Sequence, residues 1–335
     1  MADACVTPQY VCDTSVRLGD ERGDHHLSVL ALRTTSNLAA VEVKDGKAEA
    51  AQLGYGGGPF PKTVSLGRLR PRWTGATALS ASARLWFLVA VIGQWTFAVY
   101  ILAFYGGAIV RGDFAKWGKF LMHGFMPGDT VGNIALSAHI SLAAVITACG
   151  PLQLIPQIRA HAPRFHRWNG RVYLLIVVAA SISALYIRWI RNERVPGDLA
   201  QHFGVSLDAA LIILCAAMAL RYARARQFAI HRRWAIRLYL VVSGVWFFRV
   251  GLFFWLALNH GPAGFDPNTS QGPFLDFLSF AEYLLPLAVF ELYLRAQDRG
   301  RRSEQAAMAV GLVVLTLAMG VGIFGASRAL WLPNI

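Results

Sequence analysis

From Arg84 onward the chain is a succession of apolar runs separated by short polar, arginine-bearing segments. Each run is about 20 residues long, the length with which an α-helix crosses about 30 Å of hydrocarbon. Seven such helices are predicted, at 85-109, 132-156, 165-190, 199-222, 231-258, 273-296 and 306-328. Residues 1-82 break the pattern. They are polar, Gly-rich from Gly54 to Pro59 and too short in apolar stretches to span, so they read as a disordered cytoplasmic tail. The first residues lack the charged and apolar regions of a signal peptide. No Met stands between Met1 and Met122, so a misplaced start for the tail is left open. The predicted fold is thus an all-α integral membrane protein in three parts: the tail (1-82), a six-helix membrane domain (83-298), and a cytoplasmic loop with a seventh transmembrane helix (299-335) standing outside the functional core.

Composition changes the picture little. With 55% hydrophobic and 15% charged residues, an ordinary soluble domain is excluded. Lys and Arg outnumber Asp and Glu by 32 to 19, a net charge of +13 that would suggest nucleic acid in a soluble protein. Here the basic residues follow topology. Nineteen lie in the flanks and loops of one side, from Lys62 through Arg164 and Arg232 to Arg302, against seven on the other, among them Arg111, Arg191 and Arg328. The N-terminus is therefore expected in the cytoplasm and the C-terminus outside, in a bacterial inner membrane. The expected partners are the bilayer and anionic lipid at the basic loops, not nucleic acid. Four cysteines without a CxxC pair give neither a disulfide framework nor a zinc site, and Cys149 and Cys215 read as packed core thiols.

Four spans carry one histidine each. His139 and His202 fall near the outer face, His166 and His231 near the inner, in two hairpins whose imidazoles are about 20 to 25 Å apart along the normal. In an antiparallel bundle of the second to fifth helices, second faces fourth and third faces fifth, so each diagonal offers two imidazoles at one level. That is the axial pair a six-coordinate haem iron requires. Tyr173 and Arg249 return to the faces of His166 and His231, and Gly150 to that of His139, where it could admit a flat macrocycle. Arg167, Arg171, Arg232, Arg233 and Arg237 are candidates for haem propionates, as is Arg249 for an outer haem. The plainer alternative is that these arginines only record topology. His123, His161 and His260 are assigned to loops. A second constellation shares the outer half: Asp208, Arg249 and Glu282 all fall about 13 Å below the outer surface. Ionisable residues at that depth need partners, and Arg249 with Glu282 or Asp208 is the expected ion pair, either fixing helix register or moving protons or small ions.

The run Gly150-Pro151-Leu152-Gln153, followed by Pro163-Arg164-Phe165-His166-Arg167-Trp168-Asn169-Gly170-Arg171-Val172-Tyr173, resembles the signature of a bacterial membrane-protein family catalogued as domain of unknown function 2306. His231-Arg232-Arg233-Trp234 with Arg237, and Pro127-Gly128-Asp129-Thr130, extend the resemblance over roughly 85 to 298. It implies a multi-pass membrane fold and no established activity. The histidine layout, without a further sequence match, is similar to the ascorbate-dependent di-haem cytochrome b family. That likeness implies His139 with His202 and His166 with His231 as axial pairs for one or two b-type haems. The leading expectation is transmembrane electron transfer with donor and acceptor unidentified. A proton-linked or small-solute transporter using Asp208, Arg249 and Glu282 is the alternative, and a structural or assembly subunit a third. No triad, nucleotide loop or metalloprotease signature supports an enzyme.

Overall fold

The computed structural model describes residues 29-33, 38-44, 47-52, 75-121, 124-191 and 199-335. In the stretch read as a tail, strands β1 (Val29–Arg33), β2 (Leu38–Lys44) and β3 (Lys47–Gln52) form an antiparallel sheet in the order β1-β2-β3. Lys44 pairs with Lys47 across the sequence Asp45-Gly46, a dipeptide favoured in two-residue hairpins. Length and polarity alone conceal such a local signal. The rest of the tail, with Cys5 and Cys12, lies outside the described residues, as do His123 and Arg194.

Residues Thr74–Ile335 form a compact unit whose regular elements, among the described residues, are helices, with an isolated bridge between Asp266 and Gln271. Among the described residues six helices are long and apolar enough to cross a membrane: α1 (Gly75–Arg111), α2 (Thr130–Leu154), α3 (Pro163–Arg191), α4 (Leu199–Arg224), α7 (Pro273–Arg299) and α8 (Arg302–Asn334). The predicted fifth span is broken into α5 (Phe228–Val242) and α6 (Gly244–Asn259), bent by 55°. Seven crossings result when the bent pair counts as one.

The ends follow elementary rules. Pro163 and Pro273 open their helices at the first turn, where a missing N–H costs nothing. Gly112, at φ 70°, ends α1. The bend has a local cause, since Ser243 and Gly244 adjoin and Gly/Ser pairs are common kink sites. The Ser243 hydroxyl donates to the Tyr239 carbonyl at 2.7 Å, and the Trp246 and Phe247 N–H groups both turn to the Ser243 carbonyl. Gln94 locks the break by donating to Ser243 Oγ at 2.8 Å and accepting from Tyr239 OH at 2.9 Å.

Each of α2, α3, α4 and α5 packs on its sequence neighbour, and α5 closes back on α2. The four thus form the expected ring, with α2 across from α4 and α3 across from α5. Its centre is filled by Val177, Cys215, Leu238 and Val241. α8 packs most extensively on α1 and α6, so the last span belongs to the body of the fold. Small residues allow the approach: a Cβ on Gly322 would run into the Val250 carbonyl of α6. Gly322→Ala is expected to destabilise the protein by about 2 kcal/mol in detergent unfolding, since backbone must move to make room. Large apolar side chains such as Leu88, Leu175, Val314 and Leu317 are exposed, as a bilayer-facing surface demands.

At the end opposite the basic loops, Arg191 closes a clasp. Its Nε donates to Asp129 Oδ2 at 2.9 Å and its Nη2 to the Gly124 carbonyl and Asn133 Oδ1, both at 2.7 Å. Asp129 Oδ1 caps α2 by accepting from the Gly132 N–H. The Arg191 guanidinium and the capped N–H hold the Asp129 carboxyl below the usual carboxylate range. The stabilisation this gives is present above the unfolded-state value, about 3.9, and is lost as pH falls through the lower folded value. Melting temperatures between pH 2 and 7 should show an acid-side loss that Asp129→Asn diminishes.

Candidate functional site

A cavity of about 1910 Å³ begins at the basic end of the bundle. Arg84, Arg159, Arg167, Arg171, Arg224 and Arg232 line it, with His166 and His231. Among the described residues none of these six guanidinium groups has a carboxylate within ion-pair distance. Two buried nitrogens on the wall also lack hydrogen-bond partners among the described residues, the amide donor Gln153 Nε2 and the ring atom His166 Nδ1. His231 is held differently, with Nδ1 2.9 Å from the Ala219 carbonyl, which leaves Nε2 as the available ring atom.

From that end the cavity continues along α5, α6 and α7 as an apolar wall that includes Phe247, Phe254, Trp255, Phe277 and Leu285. Its conspicuous polar group on this stretch is Glu282. A Cβ on Gly244 would lie 3.4 Å from Asp208 Oδ2 and 3.6 Å from Glu282 Cδ, so α4, α7 and the bend between α5 and α6 bring both carboxyls to one point. Asp208 Oδ1 is buried and accepts no hydrogen bond.

The expected ion pair is not formed. Arg249 donates to the Val245 carbonyl at 3.0 Å and lies 5.1 Å from the Phe97 ring centroid, and among the described residues no carboxylate is within 4.0 Å of it. Within electrostatic reach of Glu282 it remains, but as a neighbour. A swap of Arg249 and Glu282 charges therefore has no contact to restore. Two of the arginines assigned to propionates are engaged elsewhere. Arg237 Nε donates to Glu291 at 2.7 Å and its guanidinium lies over Trp234 and Phe290, while Arg233 pairs with Asp298 at 2.8 Å. Arg167, Arg171 and Arg232 do face the cavity.

The four histidines separate by level. His166 and His231 line the cavity, whereas His139 and His202 do not. His139 turns onto α3, its Nδ1 3.1 Å from the Ala180 carbonyl and 3.0 Å from Ser183 Oγ. His202 is buried, its ring edge-to-face with Trp189 at 5.1 Å. The gap left by Gly150, expected to admit a macrocycle, is taken up by protein. A Cβ there would meet Tyr173 OH at 3.0 Å and the Tyr239 ring at 3.5 Å.

Sequence reasoning missed Gln153 as a wall donor, although the signature run contains it, and Gly244 as the meeting point of the carboxyls. The adjacent Ser243-Gly244 was the available signal for the bend.

No curated protein and no solved structure matches the chain. The chain is a multi-pass integral membrane protein, and its residues 136–265, from within α2 to the loop after α6, match the family model described as "Predicted membrane protein (DUF2306)".

Proposed function

We propose that the protein is a proton-linked transporter whose route runs along the cavity to the carboxyl pair at the bend between α5 and α6. One observation carries the reading: Glu282 lines the same cavity as the six guanidinium groups, and it closes with Asp208 on Gly244, where the span breaks. A carboxyl inside a span is costly to keep ionised without a partner, so one that faces an accessible route favours proton uptake and release over permanent charge. Broken helices beside such groups recur at the binding sites of membrane transporters. The Gln94, Ser243 and Tyr239 contacts fix where the break lies.

The test uses liposomes containing the purified protein and an internal pH dye, with members of a panel of organic anions added outside one at a time. At least one should acidify the lumen faster than in protein-free liposomes. Equal rates for every member would remove the transport reading.

Binding of one b-type haem for electron transfer is the second reading, favoured because His166 and His231 share the cavity and His231 Nδ1 is fixed by a carbonyl. When bound, the haem would supply one-electron chemistry. His166 and His231 would be its axial ligands, and Arg167, Arg171 and Arg232 would receive the propionates. For a second haem on His139 and His202 there is no comparable cavity support. A reduced-minus-oxidised spectrum of protein expressed with ample haem should then show Soret and alpha bands that His231→Ala removes. A featureless spectrum would end this reading.

A further inference from the structure

We infer that the cavity takes an anionic phospholipid from the bilayer, with its phosphate at the basic end and its acyl chains along the apolar wall. This names the substrate class of the transport reading and rests on it for turnover, but binding stands on its own observations.

The basic end offers a surplus of donors. Among the described residues the six guanidinium groups have no carboxylate within ion-pair distance, Gln153 Nε2 is a buried donor without an acceptor, and His166 Nδ1 is a buried ring nitrogen without a partner. Buried donors are rarely left unsatisfied, and guanidinium groups bind phosphate oxygens through paired, charge-assisted hydrogen bonds. The required head group is therefore an anion rich in acceptors.

Size and lining determine what is attached to it. A volume of about 1910 Å³ exceeds the roughly 300–1,000 Å³ typical of small-molecule pockets. Beyond the basic end the wall is almost wholly apolar, which suits hydrocarbon and disfavours a hydrated soluble anion. The cavity also meets the lipid-facing surface: Leu175 on α3 and Phe277 and Leu285 on α7 both line it and are exposed, at 73%, 65% and 54%. A ligand can thus enter sideways from the bilayer. Glu282 lies on the apolar stretch, where its ionised form would repel an anionic head group and keep it at the arginines.

The experiment measures binding of fluorescent phosphatidylglycerol to the full-length protein in a zwitterionic detergent, with fluorescent phosphatidylcholine and inorganic phosphate as comparisons. Phosphatidylglycerol should bind at one per protein and at least tenfold more tightly than phosphatidylcholine, and excess inorganic phosphate should not displace it. Arg171→Gln combined with Arg232→Gln should weaken binding by about tenfold or more, with Arg171→Lys retaining most of it. Gln153→Leu, a substitution without change of charge, should weaken it less. Melting temperatures of the variants separate loss of the site from loss of the fold. Equal affinity for the two lipids, indifference to the arginine changes, or displacement by inorganic phosphate would each overturn the proposal, as would a haem spectrum that grows while lipid is excluded. Lipid binding without any anion-linked proton flux would leave this inference intact and remove the transport reading. Flux without lipid selectivity would do the reverse.

Discussion

Glu282→Gln is expected to lower anion-linked acidification of proteoliposomes by about 100-fold, the scale on which a positioned proton-transfer group contributes. The substitution preserves the shape of a side chain that lines the cavity but removes its ability to take up and release a proton. Asp208→Asn should behave alike, since both carboxyls close on Gly244. Folding should survive both changes, because among the described residues neither group makes an ion pair within 4.0 Å and no charged partner is left stranded. Arg249→Gln provides the contrast. Its head group is directed at the Val245 carbonyl and the Phe97 ring, so flux should fall far less. Silence of Glu282→Gln together with loss in Arg249→Gln would move the functional group away from the bend.

Arg191→Ala carries the largest expected effect on stability, about 3 kcal/mol, read as a lowered unfolding midpoint in detergent. The side chain is only 2% exposed and holds three acceptors at once, Asp129, Asn133 and the Gly124 carbonyl. Truncation leaves the Asp129 carboxylate without its counter-ion and the Gly124 carbonyl without its donor, while Asn133 Oδ1 keeps only the Met126 N–H; a buried polar group stripped of its partner costs more than the contact gains. Arg191→Lys should recover only part of the loss, because one ammonium cannot reproduce the spread of a guanidinium fork. A midpoint unchanged by Arg191→Ala would show that the clasp contributes no net stability.

The spans and the shared depth of Asp208 and Glu282 were legible in the sequence because both depend on chain length alone. A helix rises by a fixed amount per residue, so two groups nine positions from the same ends reach one level whatever surrounds them. The ring order of α2 to α5 was legible for a related reason, since short loops force neighbours in sequence to be neighbours in space. Side-chain partners were not. Arg237 reads as a propionate ligand by position, yet Glu291 on α7 is nearer to hand. His139 shares its level with His202, yet its ring turns to the Ala180 carbonyl on the adjacent helix. Spans that are apolar on most sides give no periodic sign of which face is inward.

By itself, then, the sequence determined a multi-pass helical membrane protein, its crossings and the depth of its polar groups, all consequences of hydrophobicity and helical rise. Only the tertiary structure decided that six guanidinium groups, without carboxylate partners among the described residues, line the end of a lipid-open cavity, that Arg249 stands apart from Glu282, and that a bend at Ser243-Gly244 brings two carboxyls together. Those relations depend on which helix faces meet, and that is fixed by the packing of whole helices against one another.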